Sequence, residues 1–244
     1  MSKLKLITFD ITNTILRARV PVGEEYAKVA CRFGLNLDAA RISQEFPKVF
    51  SGLWAVQPNF GVADGITARQ WWSTAVMAAV ERSDVKLTEE NFEKVSATAE
   101  ALFEHYATAA PWMVDESSTY ILSSLKRTHQ LGIISNFDER LENLLEKFDL
   151  QQYFSFAIAS RAAGVCKPDP TIFDLALQKA GIHDPSTALH VGDDLALDFK
   201  AAKSAGWNAV WFCSDQAKRH RYPVDETEVI AHLHELLTLP LLQR

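Results

Sequence analysis

The sequence is short of the features that mark a secreted, membrane-spanning or nucleic-acid-binding chain. Only three of its 244 residues are cysteine, namely Cys31, Cys166 and Cys213. They are far apart, odd in number and form no CxxC pair, which argues against a disulfide framework and for free thiols in a reducing compartment. No run approaches 18 apolar residues, so no membrane span is expected. After "MSK" the chain goes directly into a strand-like run, with no apolar leader and no small-residue cleavage site. The expected location is cytoplasmic. Basic residues are outnumbered, 25 Lys and Arg against 31 Asp and Glu, for a formal net charge of −6. A nucleic-acid footprint needs clustered Lys and Arg. The stretch "KRHR" at Lys218 is too short for one and reads as a solvated surface loop. No internal repeat or low-complexity tract is present, and oligomeric state has no signature here.

What is present is an ordinary globular composition, 48% hydrophobic and 23% charged, long enough to bury a substantial core. Five short apolar runs read as strands: "KLKLITF" before Asp10, "LGIIS" ending at Ser135, "YFSFAIAS" ending at Ser160, "TALHVG" before Asp193, and "NAVWFC" ending at Cys213. Runs apolar on both faces are typical of parallel strands covered by helices on each side. Between the later runs lie helical patterns. One is "ERLENLLEKFDL". A second, "PTIFDLALQKAG", starts with Pro170 and stops at Gly181. A third, "LDFKAAKSAG", stops at Gly206. Strand and helix in alternation predict an α/β fold with a doubly wound parallel sheet.

Residues 17–112 break that rhythm. They hold four helical patterns and little strand signal, with a Gly- and Pro-containing loop, "AVQPNFGVADGIT", in the middle. The expectation is a helical lobe, 17–112, inserted into a core made of 1–16 and 113–244. "RQWWSTAV" is read as core packing, with Trp71 or Trp72 facing the inside of a helical bundle. His232 and His234 are two apart on an expected helix and so are not expected to share a face.

The unusual polar residues collect at the carboxyl ends of the strands, where open α/β sheets bind ligands. Asp10, Ser135 with Asn136, and Asp193 with Asp194 all lie there. Asp198 follows at the start of a helix, and Lys167 sits in "CKPDP" before another. An Asp or Ser at a strand end is often only a helix cap. Their convergence on one edge makes that account insufficient. Asp10, Asp193 and Asp198 would crowd three carboxylates, which is unfavourable unless a cation joins them. Hard oxygen ligands without nearby His or Cys suit Mg²⁺. With Lys167 and the Ser135 hydroxyl opposite, these are the parts of phosphoryl transfer, and a carboxylate can serve as nucleophile.

In this order, "FDITNT", "IISN", "KPDP" and "HVGDDLALD" resemble the four motifs of the haloacid dehalogenase superfamily. The resemblance spans the chain. It implies a Rossmann-like core, an inserted helical cap, and Mg²⁺-dependent cleavage of a small phosphorylated molecule. It further implies Asp10 as nucleophile and metal ligand, the Thr12 backbone carbonyl as a second ligand, and Asp193 as a direct ligand. Ser135 and the backbone of Asn136 would bind the phosphoryl group, and Lys167 would neutralise charge. Asp198 would either support the metal shell or pair with Lys167. The departure is Thr12, where phosphatases of the family carry the aspartate that acts as general acid and base. A threonine hydroxyl cannot shuttle a proton at neutral pH, and such help is worth about 100- to 10,000-fold. Three readings follow: a slow phosphohydrolase, a non-catalytic binding or regulatory protein, and, disfavoured by the retained "GDDLALD", a hydrolase of carbon–halogen or carbon–phosphorus bonds.

Overall fold

The computed structural model describes residues 4–222 and 224–242. It divides into two compact units. One holds the chain up to Arg17, Val114–Phe137 and the chain from Leu145 onward; the other holds Ala18–Met113 and Asp138–Leu144. In chain order the strands are β1 Leu6–Phe9, β2 Leu16–Ala18, β3 Trp112–Val114, β4 Gln130–Ser135, β5 Phe156–Ala159, β6 Ala188–Gly192, β7 Asn208–Phe212 and β8 Val229–Ile230. Strands β2 and β3 pair in a small sheet of their own.

The first unit is built on a six-stranded sheet in the order β5-β4-β1-β6-β7-β8, with parallel neighbours throughout. This is the α/β doubly wound, Rossmann-like architecture expected. Every residue of β1 and of β6 is buried, as central parallel strands covered on both faces must be. In a parallel pair, residues in register point to the same face. The pairs Leu6–Ala188 and Thr8–His190 therefore share a face. That face packs against Ile172, Phe173, Phe199 and Trp207. The helix Thr171–Ala180 stops at Gly181, which has φ of 67°, a left-handed C-terminus that glycine adopts without steric cost. Strand β8, only two residues long, is too short to carry a period and escapes sequence reading.

The second unit is helical: Val22–Cys31, Ala39–Val56, Ala68–Arg82 and Glu89–His105. Thr67 with Gln70 and Thr88 with Asn91 form reciprocal capping boxes that start the last two, satisfying amides that would otherwise be orphaned. Gly23 lets the first two helices approach closely. A Cβ there would lie 1.8 Å from the Ala39 carbonyl oxygen. The core gathers Tyr26, Ile42, Trp71, Val76 and Leu102. Trp71 is fully buried, whereas Trp72 is only half-buried.

The loop expected at "AVQPNFGVADGIT" is instead a tight turn. Asn59, Phe60 and Gly61 are all left-handed, with φ of 51°, 57° and 66°. That conformation costs a bulky L-residue roughly 1–2 kcal/mol. Phe60 is 2% exposed and packs edge-on against Trp54 and Trp71, a burial worth about 1.5–3 kcal/mol. The two are comparable, so the aromatic cluster holds the turn.

Residues 138–144, expected in the core, group instead with the helical unit. The reason is a buried ion pair. Asp138 Oδ2 accepts from Arg140 Nη2 at 2.6 Å and from Trp72 Nε1 at 2.7 Å, while Oδ1 accepts from Arg140 Nε at 2.8 Å. Arg140 lies over the rings of Phe103 and Trp72, and Asn143 bonds the Ala107 carbonyl at 2.5 Å.

The two C-terminal histidines also differ from expectation. His232 has extended backbone and precedes a 3₁₀ segment, Leu233–Thr238. The His232 and His234 rings stack, 5.4 Å apart and 8° from parallel, because the α-helical spacing argument does not apply there. "KRHR" lies in a short exposed helix, Gln216–Arg221. No helix among the described residues is long and apolar enough to cross a membrane.

Candidate active site

Asp10 directly follows β1. Its amide still donates to the Val191 carbonyl of β6 at 2.9 Å, so the sheet fixes its backbone. Alternation puts its side chain on the same face as Thr8. At the corresponding end of β4 is Ser135, 1% exposed, whose hydroxyl stands beside the Asp10 carboxylate and lowers its pKa.

Lys167 joins these strand ends. It is 2% exposed, and its Nζ donates to Asp10 Oδ1 at 2.7 Å, Asp198 Oδ1 at 2.5 Å and the Ile134 carbonyl at 2.9 Å. All three ammonium donors are thereby used. Burial opposes its charge, but Asp10 and Asp198 outweigh that and raise its pKa above the usual lysine range. Asn136 anchors the lysine rather than offering its side chain to a ligand. Its Nδ2 donates to the Lys167 carbonyl at 2.9 Å, and its Oδ1 accepts from the Lys167 amide at 2.8 Å. Only the Asn136 backbone remains for the phosphoryl role the motif implies.

The segment after β6 supplies the remaining carboxylates. The Asp193 carbonyl is held by Trp211 Nε1 at 2.9 Å. Asp194 turns away from the cluster to cap the next helical segment, its Oδ1 accepting from the amides of Ala196 and Leu197 at 2.7 and 2.9 Å. Asp198, 1% exposed, is held on both oxygens. Its Oδ1 takes Lys167 and also His190 Nε2 at 3.3 Å, while Oδ2 accepts from the Asp194 amide at 2.9 Å. The carboxylate lies so close to Gly192 that a Cβ there would sit 2.2 Å from Oδ2. Glycine is the only residue that fits.

Asp10, Asp193 and Asp198 each present an oxygen within 4.8 Å of the others. One ammonium therefore faces three carboxylates. Burial and the Asp198 charge raise the Asp10 pKa despite Lys167. Asp193 is pushed up to about 7 by burial first and then by Asp10, Asp198 and Asp194. Asp198 goes the other way: burial pushes it up, but Lys167 and the His190 bond hold it well below the usual range. An oxygen-only donor set with surplus negative charge fits a hard divalent cation.

Thr12 lies beyond this network, half-buried in the loop that bridges to Leu16. The turn passes through Asn13 at φ 58°, a conformation asparagine tolerates. Thr12 adds no ionisable group. Thr14 is 3% exposed with its hydroxyl unpartnered among the described residues. Cys166 is no activated thiol, since burial and Asp169 raise its pKa.

The residues that sequence reasoning missed are Thr8 and His190. Each is a polar residue within an apolar strand, and the register pairs them. Thr8 Oγ1 lies 2.8 Å from His190 Nδ1. The signal was a histidine in "ALHVG" and a threonine in "LITF". It becomes informative only once β1 and β6 are known to be neighbours.

A model of the haloacid dehalogenase-like hydrolase family matches residues 4–206. The haloacid dehalogenase-like hydrolase domain-containing protein 3 of Bos taurus is 36% identical over 208 residues, 85% of this chain and 81% of that protein. The rhythmically expressed gene 2 protein of Drosophila melanogaster is 33% identical, over 86% of this chain and 83% of that one. Among solved structures, YfnB of Bacillus subtilis, bound to magnesium, superposes over 100% of both chains with a TM-score of 0.73 at 17% identity.

Proposed function

The chain belongs to the haloacid dehalogenase-like hydrolase family, and on that premise we propose that it is a phosphohydrolase of a small phosphorylated metabolite that works with Mg²⁺ and turns over slowly. The observation that carries the reading is the charge arrangement around Lys167. A buried ammonium touches Asp10 while three carboxylates converge on the same point. A site built only for stability would balance its buried charges. This one leaves carboxylate charge in excess of Lys167, which a cation would offset.

Asp10, Asp193 and Asp198 would hold the ion, with the Thr12 carbonyl as the further ligand implied by the motif. A bound Mg²⁺ would offset the negative charge of the phosphoryl group and of the carboxylates. Asp10 Oδ attacks phosphorus, the ester P–O bond breaks, and an aspartyl-phosphate forms on Asp10. Lys167 Nζ and the Ser135 hydroxyl, with the Asn136 backbone, orient and neutralise the transferring group. Water then attacks phosphorus, releasing inorganic phosphate and restoring the Asp10 carboxylate.

Thr12 limits both halves. With no carboxyl group there, the leaving oxygen draws its proton from water, and the attacking water gives its proton to water. Esters with good leaving groups should therefore be preferred. The same residue favours a second reading, a non-catalytic protein that binds phosphorylated ligands at this site. Turnover of p-nitrophenyl phosphate and of a panel of phosphorylated metabolites, with Mg²⁺ and with EDTA, separates the two. The hydrolase reading requires Mg²⁺-dependent phosphate release that Asp10→Asn lowers by at least about 1,000-fold. Mg²⁺-dependent ligand binding with no release by the wild type favours the second reading.

A further inference from the structure

His190 is the buried titratable group that the proposed chemistry leaves unused. It is 1% exposed, sits in the middle of β6, and packs edge-on against Phe173. Its two ring nitrogens have different neighbours. Nδ1 lies 2.8 Å from Thr8 Oγ1, and Nε2 lies 3.3 Å from Asp198 Oδ1. A carboxylate oxygen accepts only, so the bond to Asp198 needs the proton on Nε2. A ring with one proton then has a bare Nδ1, which accepts from the Thr8 hydroxyl. The other acceptor near that hydroxyl, the Leu189 carbonyl, is farther, at 3.4 Å.

These bonds form a continuous chain. Thr8 O–H donates to His190 Nδ1, and His190 Nε2–H to Asp198 Oδ1. The same Asp198 oxygen accepts from Lys167 Nζ, and Lys167 Nζ donates to Asp10 Oδ1. The chain of bonds begins at Thr8 in β1 and ends at Asp10, two residues on and on the same face. Asp198 needs such a hold. Its oxygens lie within reach of the Asp10 and Asp193 oxygens, and the residue stands in the first turn of a helical segment, Leu195–Lys200, not in the sheet.

We propose that His190, as the Nε2–H tautomer that Asp198 requires and Thr8 supports, is a positioning residue that keeps Asp198 turned to Lys167 and so sets the Lys167 ammonium on Asp10. Among the described residues its hydrogen bonds reach Asp10 only through Asp198 and Lys167. Only the kinetic consequence of this role rests on the phosphohydrolase reading; the geometric one does not.

The test uses the full chain and starts without ligand. Long-range ¹⁵N–¹H correlation spectra of the His190 ring should show a protonated Nε2 and a bare Nδ1 at pH 7.5. Thr8→Val removes the donor to Nδ1 and should weaken the preference without reversing it, because Asp198 still requires the proton on Nε2. The Asp194 amide, which donates to Asp198 Oδ2, should exchange at least about fivefold faster in His190→Phe, the cost of losing a neighbouring buried hydrogen bond. His190→Gln keeps an N–H near the Nε2 position, and with it the donor to Asp198, and should restore most of that protection. With p-nitrophenyl phosphate and Mg²⁺, His190→Phe should lower kcat about tenfold with KM within about twofold, and His190→Gln should recover most of it. An Nδ1–H ring in the wild type would overturn the assignment, as would unchanged Asp194 exchange in His190→Phe. If His190→Phe does not fold, the wild-type tautomer and the His190→Gln exchange rates decide in its place. Absence of turnover in the wild type would count against the phosphohydrolase reading alone, because the tautomer and the amide are read in ligand-free protein.

Discussion

Asp138 in the helical unit and Asp10 in the sheet unit are both buried carboxylates beside a buried cation, yet the two surroundings differ in stoichiometry. Asp138 has Arg140 to itself. Both of its oxygens accept from Arg140, and Trp72 completes the set. One charge meets one charge, and the guanidinium is further held by the Phe103 carbonyl at 3.2 Å and by two aromatic faces. Around Asp10, the Lys167 ammonium is shared by Asp10 and Asp198, while Asp193 has no cation of its own among the described residues. The first arrangement is complete as it stands. The second leaves carboxylate charge unmatched among the described residues, and a surplus of buried charge, not buried charge as such, is what carries the proposed site.

The sharpest way to break this comparison is to remove one carboxylate from each unit without metal. Asp138→Ala strands the Arg140 charge and should cost about 3–5 kcal/mol in urea unfolding. Asp193→Asn should do the opposite. Relieving the surplus should stabilise the protein by at least about 1 kcal/mol at pH 8 in EDTA. Two losses of equal size would mean that the sheet unit's charges are balanced after all.

The same surplus sets a pH dependence. The Asp193 carboxyl, at about 7 when folded against 3.8 ordinarily, binds its proton more tightly in the folded state. Between those values the folded chain therefore holds more protons than the unfolded one, and its stability should fall as pH rises from about 4 to 7. His190 acts in the other direction, because burial depresses its pKa. The difference in melting temperature between wild type and Asp193→Asn, followed in EDTA from pH 5 to 8, isolates Asp193. It should widen with pH and close when millimolar Mg²⁺ is added.

A smaller effect sharpens the catalytic side. Thr12→Asp supplies the missing proton carrier and should raise p-nitrophenyl phosphate hydrolysis by at least about tenfold, with a larger gain on an alkyl ester. A variant that folds and binds Mg²⁺ but gains on neither ester would favour the binding protein. The smallest change is expected away from both buried clusters. Lys203 pairs with Glu228 at the surface, with side chains 39% and 34% exposed. Lys203→Ala should move unfolding stability by no more than about 1 kcal/mol.

The local pattern of the chain was enough to read the central strands, the helical character of 17–112 and the collection of Asp10, Ser135, Lys167 and Asp193 at one sheet edge. Apolar runs, helical spacing and glycine stops are written into neighbouring residues and need no partner to be recognised. The four ordered motifs carry the family for the same reason. Tertiary structure alone decided the rest. Two-residue β8 has no period, and the left-handed turn at Asn59–Gly61 exists because Trp54 and Trp71 bury Phe60. Residues 138–144 joined the helical unit because Asp138 and Arg140 find Trp72 and Phe103 there. The motif leaves Asp198 open between an ion and Lys167; its bonds to Lys167 and His190, and its oxygen within reach of Asp10 and Asp193, come from the fold. Thr8 and His190 are 182 positions apart, and nothing in either strand names the other. Only the parallel register of β1 on β6 makes them partners, because hydrogen bonds depend on distance in space and a sequence records only distance along the chain.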